Sequence, residues 1–142
     1  MFETIVLALD GSDGSRKAIP FATELAQNDK AAILIAHVEE RNLGRGGGGP
    51  LHVDEEKIKA EIHRQADELS AQGIDPRIQM VDVMLGGPAH AIEEIANNAG
   101  ADLIVLGTRG HSPVAGLLLG SVTQRLLHIA RRPVLAVPEA KP

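Results

Sequence analysis

A chain of 142 residues is long enough for one domain with one sizeable core, and its 44% hydrophobic and 23% charged content is that of ordinary globular proteins. A net charge of −5 argues against broad binding to nucleic acid or to an anionic membrane, both of which need a basic field. Cys, Trp and Tyr are absent, which excludes disulfides, thiolate metal sites, cysteine nucleophiles and an aromatic platform for stacking single-stranded bases.

In chain order, the first element is the apolar run "TIVLAL" (4–9), read as a buried strand. Ala18, Ala22, Leu25 and Ala26 follow at helical spacing, with Pro20 leaving the start of that helix open. A second strand is predicted at "AAILIAHV" (31–38). The low-complexity piece "LGRGGGGP" (43–50) comes next, within a predicted flexible Gly-rich loop at 41–52. It invites comparison with a phosphate loop, but four adjacent glycines carry a high ordering entropy, and the next helix begins only at Val53 or Asp54. A mobile surface loop is the favoured reading, and a lid over a ligand is the alternative.

Ile58, Ile62, Ala66 and Leu69 form the second helical stripe, between the acidic Asp54–Glu56 start and a stop at Gly73. A strand at "IQMVDVML" (78–85) precedes a third helix that opens on Pro88, carries Ala91, Ile92, Ile95 and Ala99, and ends at Gly100. The strand "DLIVLG" (102–107) leads to a fourth helix, marked by Val122, Leu126 and Ile129 and closed by Pro133. "PVLAV" (133–137) is the last strand.

Alternating strands and helices imply right-handed crossovers and an α/β fold: a single doubly wound domain over 1–142, with a five-stranded parallel sheet and four helices. "MFETIVLALD" lacks the basic start and the length of a signal peptide, and no apolar run reaches the length of a bilayer span. A cytoplasmic protein without membrane insertion is expected.

The stretch "GTRGHSPVAGLLLGSVTQRLL" (107–127) carries the main functional signal. Gly107 ends a strand, Gly110 follows it, and Gly120-Ser121 opens a helix. Glycines at 107 and 110 let backbone N–H groups approach an anion where a Cβ would obstruct it. Ser121 adds a hydroxyl, and the N–H groups of Ser121 and Val122 point out of the helix's positive end. Such a site can hold phosphates without a P-loop lysine, although the same glycines also suit plain tight turns.

The spacing Gly-x2-Gly-x9-Gly-Ser resembles the nucleotide-binding motif of the universal stress protein family. "IVLALDGSDGSRKA", "AHV", "GGPAHAIEEIA", "ADLIVLGTRGHS" and "LLLGSVTQRLLHIARRPVLAVP" look like that family in the same order, over nearly the whole chain. The resemblance is to its ATP-binding branch and implies an adenine nucleotide alpha hydrolase-like fold with strand order 3-2-1-4-5. It implies that Asp10 meets the ribose or adenine side of the nucleotide, beside Ala8 and Leu9. Asp10 is equally suited to capping or to forming the turn in "DGSDG". Val38 would contact adenine through main-chain groups, and Met84 and Gly86 would line the base pocket. Ala8 departs from the proline of some members, at a position expected to contribute backbone and packing.

The resemblance also implies ATP, or ADP or AMP, as ligand, with Mg²⁺ or Mn²⁺ riding on the phosphates. The protein is then expected to be a nucleotide-dependent binding module in stress response; a slow ATPase and an AMP or cyclic AMP-binding module are the alternatives. No catalytic residue is assigned: GxSxG is absent, and Ser121 has no base assigned by spacing. His37, His52, His63, His90, His111 and His128 show no dense ligand spacing, so no metal-binding side chains are expected. Arg109, in the same loop as His111 and Ser112, could meet a phosphate. The apolar edge "PVLAVP" (133–138) invites strand pairing, and the family pairs it across a two-fold axis, which implies a homodimer or a higher assembly.

Overall fold

The structure, a computed structural model, describes residues 1–41, 54–84, 87–109 and 119–139. Five parallel strands form the sheet: β1 (Thr4–Ala8), β2 (Ala32–Arg41), β3 (Pro76–Met84), β4 (Leu103–Gly107) and β5 (Val134–Val137). Their order is β3-β2-β1-β4-β5, as expected. The four predicted helices are α2 (Ile19–Asp29), α3 (Glu55–Ala71), α4 (Pro88–Ala99) and α5 (Ser121–Ile129), and a single-turn helix α1 (Asp13–Arg16) precedes them.

Pro20 is compatible with α2 because the helix begins at Ile19, which puts the proline in the first turn, where no intrahelical N–H is required. Asp54 caps α3, its side chain accepting from the Lys57 amide at 3.2 Å. α4 opens on Pro88 and stops at Gly100, which takes the left-handed conformation at φ 64°.

The central strands bury both faces. Ile5, Leu7, Ile33, Ile35 and Val105 pack with α2 and α3, while Val6, Leu34, Ala36, Ile104 and Leu106 pack with α4 and α5. This two-sided burial is why those runs read as continuously apolar. β3 departs from that expectation. It is an edge strand, alternately half-buried and exposed along most of its length.

Arg132 closes the far end of the second layer. Its guanidinium donates to the carbonyls of Ala96 (3.1 Å) and Ala101 (2.9 Å) and pairs with Glu93 at 3.0 Å, so it finishes the C-terminus of α4.

Candidate functional site

The strands end at different heights. β1 stops at Ala8, opposite Ala36, whereas β2 runs on to Arg41, paired with β3. Residues 37–41 therefore project with β3 beyond the end of β1, by roughly 17 Å at the usual rise of a strand. The sequence reading ended this strand at 38, where the apolar run stops. In the arm, alternation divides them. Val38 and Glu40 follow Ala36 on the α4 and α5 side, and His37 and Glu39 face α3.

A cleft of about 240 Å³ opens between this arm, the end of β1, the end of β4 and the start of α5. It lies outside the carboxyl ends of the strands, at β1 and β4, where the strand order reverses. Its apolar walls include Ala36, Val38, Pro88, Ile92 and Leu106.

At one end, Gly120 precedes α5 with extended backbone, and among the described residues no side chain caps the helix. The first amides of a helix have no intrahelical acceptor, and the helix dipole adds partial positive charge there. Gly120 itself is held to β4: its amide donates to the Thr108 carbonyl at 2.6 Å. The buried Thr123 hydroxyl donates to the Gly107 carbonyl at 2.8 Å. Two hydrogen bonds thus bring the glycines at 107 and 120 together across the intervening sequence. Arg109 and Ser121 line this end of the cleft.

Gly107 has a reason of its own that the motif does not reveal. A Cβ there would sit 2.3 Å from the Gly14 carbonyl oxygen, and a Cβ on Gly14 would sit 2.5 Å from that of Arg109. Both glycines let α1 press against the end of β4. Gly107 is thus required by this packing, independently of any approach by an anion.

Asp10 follows β1. Its Oδ1 accepts from the Ser12 amide at 2.8 Å and from the Ser12 hydroxyl, while its own amide donates to Ser15 Oγ at 3.3 Å. The Ser12 hydroxyl also caps α1, accepting from the Ser15 amide at 3.1 Å. Asp10 therefore organises the turn into α1, one of the two roles considered for it, while lining the cleft. Gly11, at φ 83°, completes this turn.

On the reverse face of the arm, His37 is 2% exposed. Its Nδ1 lies 2.8 Å from the Leu9 carbonyl and its Nε2 2.8 Å from Glu55 Oε2, in the first turn of α3. Glu39 sits opposite Asp82 on β3 and 3.9 Å from Lys59. The hydrogen bond that the protonated Glu39 carboxyl donates to Asp82 raises it above the usual range, with burial and the charges of Glu55 and Asp82 acting in the same sense.

The structure gathers most of the residues singled out from sequence around one cleft. Ala8, Leu9 and Asp10 come from β1 and its turn, Val38 from β2, and Gly107 and Arg109 from β4 and the segment after it. Gly120, Ser121 and Val122 come from the start of α5. Met84 is placed apart from them. It is 59% exposed, does not line the cleft, and pairs in register with Arg41, so alternation sets it on the face opposite Val38 and Val81. Gly86, Gly110, His111, Ser112 and the 43–50 glycine run lie outside the described residues.

The sequence reading missed Ser15, Ala36, Glu40, Pro88, Ile92, Leu106 and Thr123 as lining residues. For Glu40 a signal existed: it continues the alternation of Ala36 and Val38. Among the described residues, no group of three or more His, Cys, Asp or Glu side chains converges as a metal cluster, and no helix is long and apolar enough to cross a membrane.

The model of the Universal stress protein family matches residues 1–138. The chain belongs to the universal stress protein family. A universal stress protein of Thermus aquaticus is 38% identical, over 96% of this chain and 99% of the relative. Among solved structures, a universal stress protein in complex with cAMP is 30% identical, with a TM-score of 0.68 over 98% of each chain. The hypothetical protein MJ0577 shares the fold at a TM-score of 0.82 and 20% identity, over 100% of this chain and 99% of that one. In this universal stress protein the parallel sheet and the cleft at its strand ends are thus built on the family's fold.

Proposed function

We propose that the cleft binds an adenine nucleotide, ATP in preference to shorter ones, and that the protein acts in stress response as a nucleotide-gated binding module. The observation that carries this reading is the glycine-led start of α5, tied to the end of β4 and facing a largely apolar cleft. The amides of Ser121 and Val122, the Ser121 hydroxyl and Arg109 would hold the phosphates. Asp10 would accept from ribose hydroxyls. Ala36 turns its carbonyl toward β1, where Leu9 donates to it at 3.0 Å. Two residues on, Val38 turns its main-chain groups the same way, past the end of the β1 ladder, and can meet the edge of adenine.

A divalent cation would ride on the phosphates, which supply the hard oxygen ligands Mg²⁺ prefers. The cAMP-bound relative supports a second reading, in which a monophosphate is the ligand in the cell. Titration calorimetry with ATP and cAMP at equal concentrations separates the two, with tighter binding of ATP expected. No heat with ATP, ADP, AMP or cAMP would overturn both.

Hydrolysis is expected to be slow, because no residue is assigned as the base that activates water. Single-turnover assay with Mg²⁺ tests this, and turnover at an enzymatic rate would restore the ATPase reading. The module is further proposed to be a cytoplasmic homodimer paired through β5, which among the described residues is an edge strand bonded to β4 alone. A monomer mass by light scattering at micromolar concentration would contradict the dimer.

A further inference from the structure

His37 belongs to no part of the proposed nucleotide contacts, yet it touches the segment that makes one of them. Its position constrains its protons. The Leu9 carbonyl can only accept, so Nδ1 donates to it. That leaves Nε2 facing a carboxylate oxygen at 2.8 Å. If Nε2 carries no proton, Glu55 must be protonated; if Glu55 is ionised, Nε2 must be protonated. Either way the contact contains a proton, and without it two lone pairs face each other in a partly buried place.

The groups around this contact are mainly acidic. Glu39 lies on the same face of β2, Asp82 opposite it on β3, and Asp10 follows Leu9. On α3, Lys59 pairs with Glu39, and Glu61 pairs with Arg16 of α1. The Leu9 carbonyl is the last main-chain acceptor before Asp10, and both residues line the cleft. The imidazole therefore joins the wall of the cleft to the first turn of α3.

We propose that the His37–Glu55 pair is a proton-dependent brace that positions the Leu9–Asp10 wall, making ligand affinity at the cleft depend on the proton the pair holds. This rests on the nucleotide reading above. His37 is a positioning residue that acts through Leu9 and Asp10. With the proton in place, the ring is fixed at both nitrogens and the wall is set. When the proton leaves as pH rises, the ring loses Glu55 and the wall relaxes. Glu55→Gln removes the requirement, because a glutamine amide donates to a neutral Nε2 while Nδ1 still bonds Leu9.

The test is ATP affinity by calorimetry from about pH 6 to about pH 9. It compares wild type with Glu55→Gln and Glu55→Ala. Titration of the phosphates is common to all three and cancels in their ratios. Wild-type affinity is expected to fall several-fold relative to Glu55→Gln as pH rises, with the two equal at the acid end. Glu55→Ala is expected to be weaker throughout. Nitrogen-detected NMR of His37 should show both ring nitrogens bonded at the acid end in wild type.

A constant ratio between wild type and Glu55→Gln would overturn the brace while leaving the nucleotide reading intact. Absence of ATP binding in all three folded proteins would overturn both.

Discussion

α3, which starts against the reverse face of the arm, and α5, which starts at the cleft, begin in opposite ways. α3 is closed: Asp54 caps it, Glu55 and Glu56 fill its first turn, and Glu55 is bonded to His37. α5 is open: a glycine stands at its cap, no acidic residue lies in its first turn, and Ser121 and Val122 line the cleft. The same backbone dipole is met by the chain's own carboxylates at one helix and, in the proposed reading, by the ligand's phosphates at the other. The choice of residue at a few positions decides whether a helix start is closed by the chain itself or left open.

The sharpest way to break this comparison is to give α5 the cap that α3 has. Gly120 has φ −70°, a conformation open to any residue, so Gly120→Asp fits the backbone and brings a carboxylate to the first amides. ATP affinity by calorimetry is expected to fall by at least about 100-fold, or about 2.7 kcal/mol, with Tm held or raised. Undiminished affinity would remove α5 from the site. Next in size is Gly107→Ala, whose Cβ would meet the Gly14 carbonyl at 2.3 Å. Denaturant unfolding should show a loss of about 2 kcal/mol, the scale of overpacking. An unchanged midpoint would mean that α1 yields freely.

The start of α3 should respond in the opposite sense. Asp54→Ala removes a cap and is expected to cost about 1 kcal/mol of stability with ATP affinity at neutral pH little changed. A large loss of affinity would show that the two helix starts are not separable. The smallest effect concerns Glu39. Its folded carboxyl holds its proton more tightly than in the unfolded chain, so stability falls as pH rises through the ordinary carboxylate range to the raised folded value. Glu39→Gln should therefore raise Tm slightly at neutral pH, and the gain should fade as the medium becomes acidic. A pH-independent difference would contradict this cause.

Much of this difference between helices was legible in the sequence. Asp54–Glu56 marked an acidic helix start and Gly120-Ser121 an open one, because capping depends on residues close together in the chain. The strands were legible too, since burial on both faces leaves continuous apolar runs. What escaped depends on contacts across the chain. Gly14 has no local signature as a packing residue, as its constraint comes from the Arg109 carbonyl and its neighbour's from Gly14 itself. The arm escaped because Glu39 and Glu40 look solvated until Lys59 and the cleft are placed on either side of β2. Met84 was assigned to the cleft by its position at a strand end, but register with Arg41 decides its face.

That arm also limits how the chain can change length. Both of its faces carry specific partners, the cleft on one and α3 on the other. Removing one residue between Ala36 and Glu39 would exchange the faces beyond the deletion, since the strand repeats every two residues. Part of the His37 and Glu39 set would turn into an apolar cleft, and part of the Val38 and Glu40 set would turn toward the acidic start of α3. Substitutions in the arm can be absorbed one contact at a time, but a single-residue deletion strikes two sites at once. This segment of β2 should therefore tolerate length changes only in steps of two.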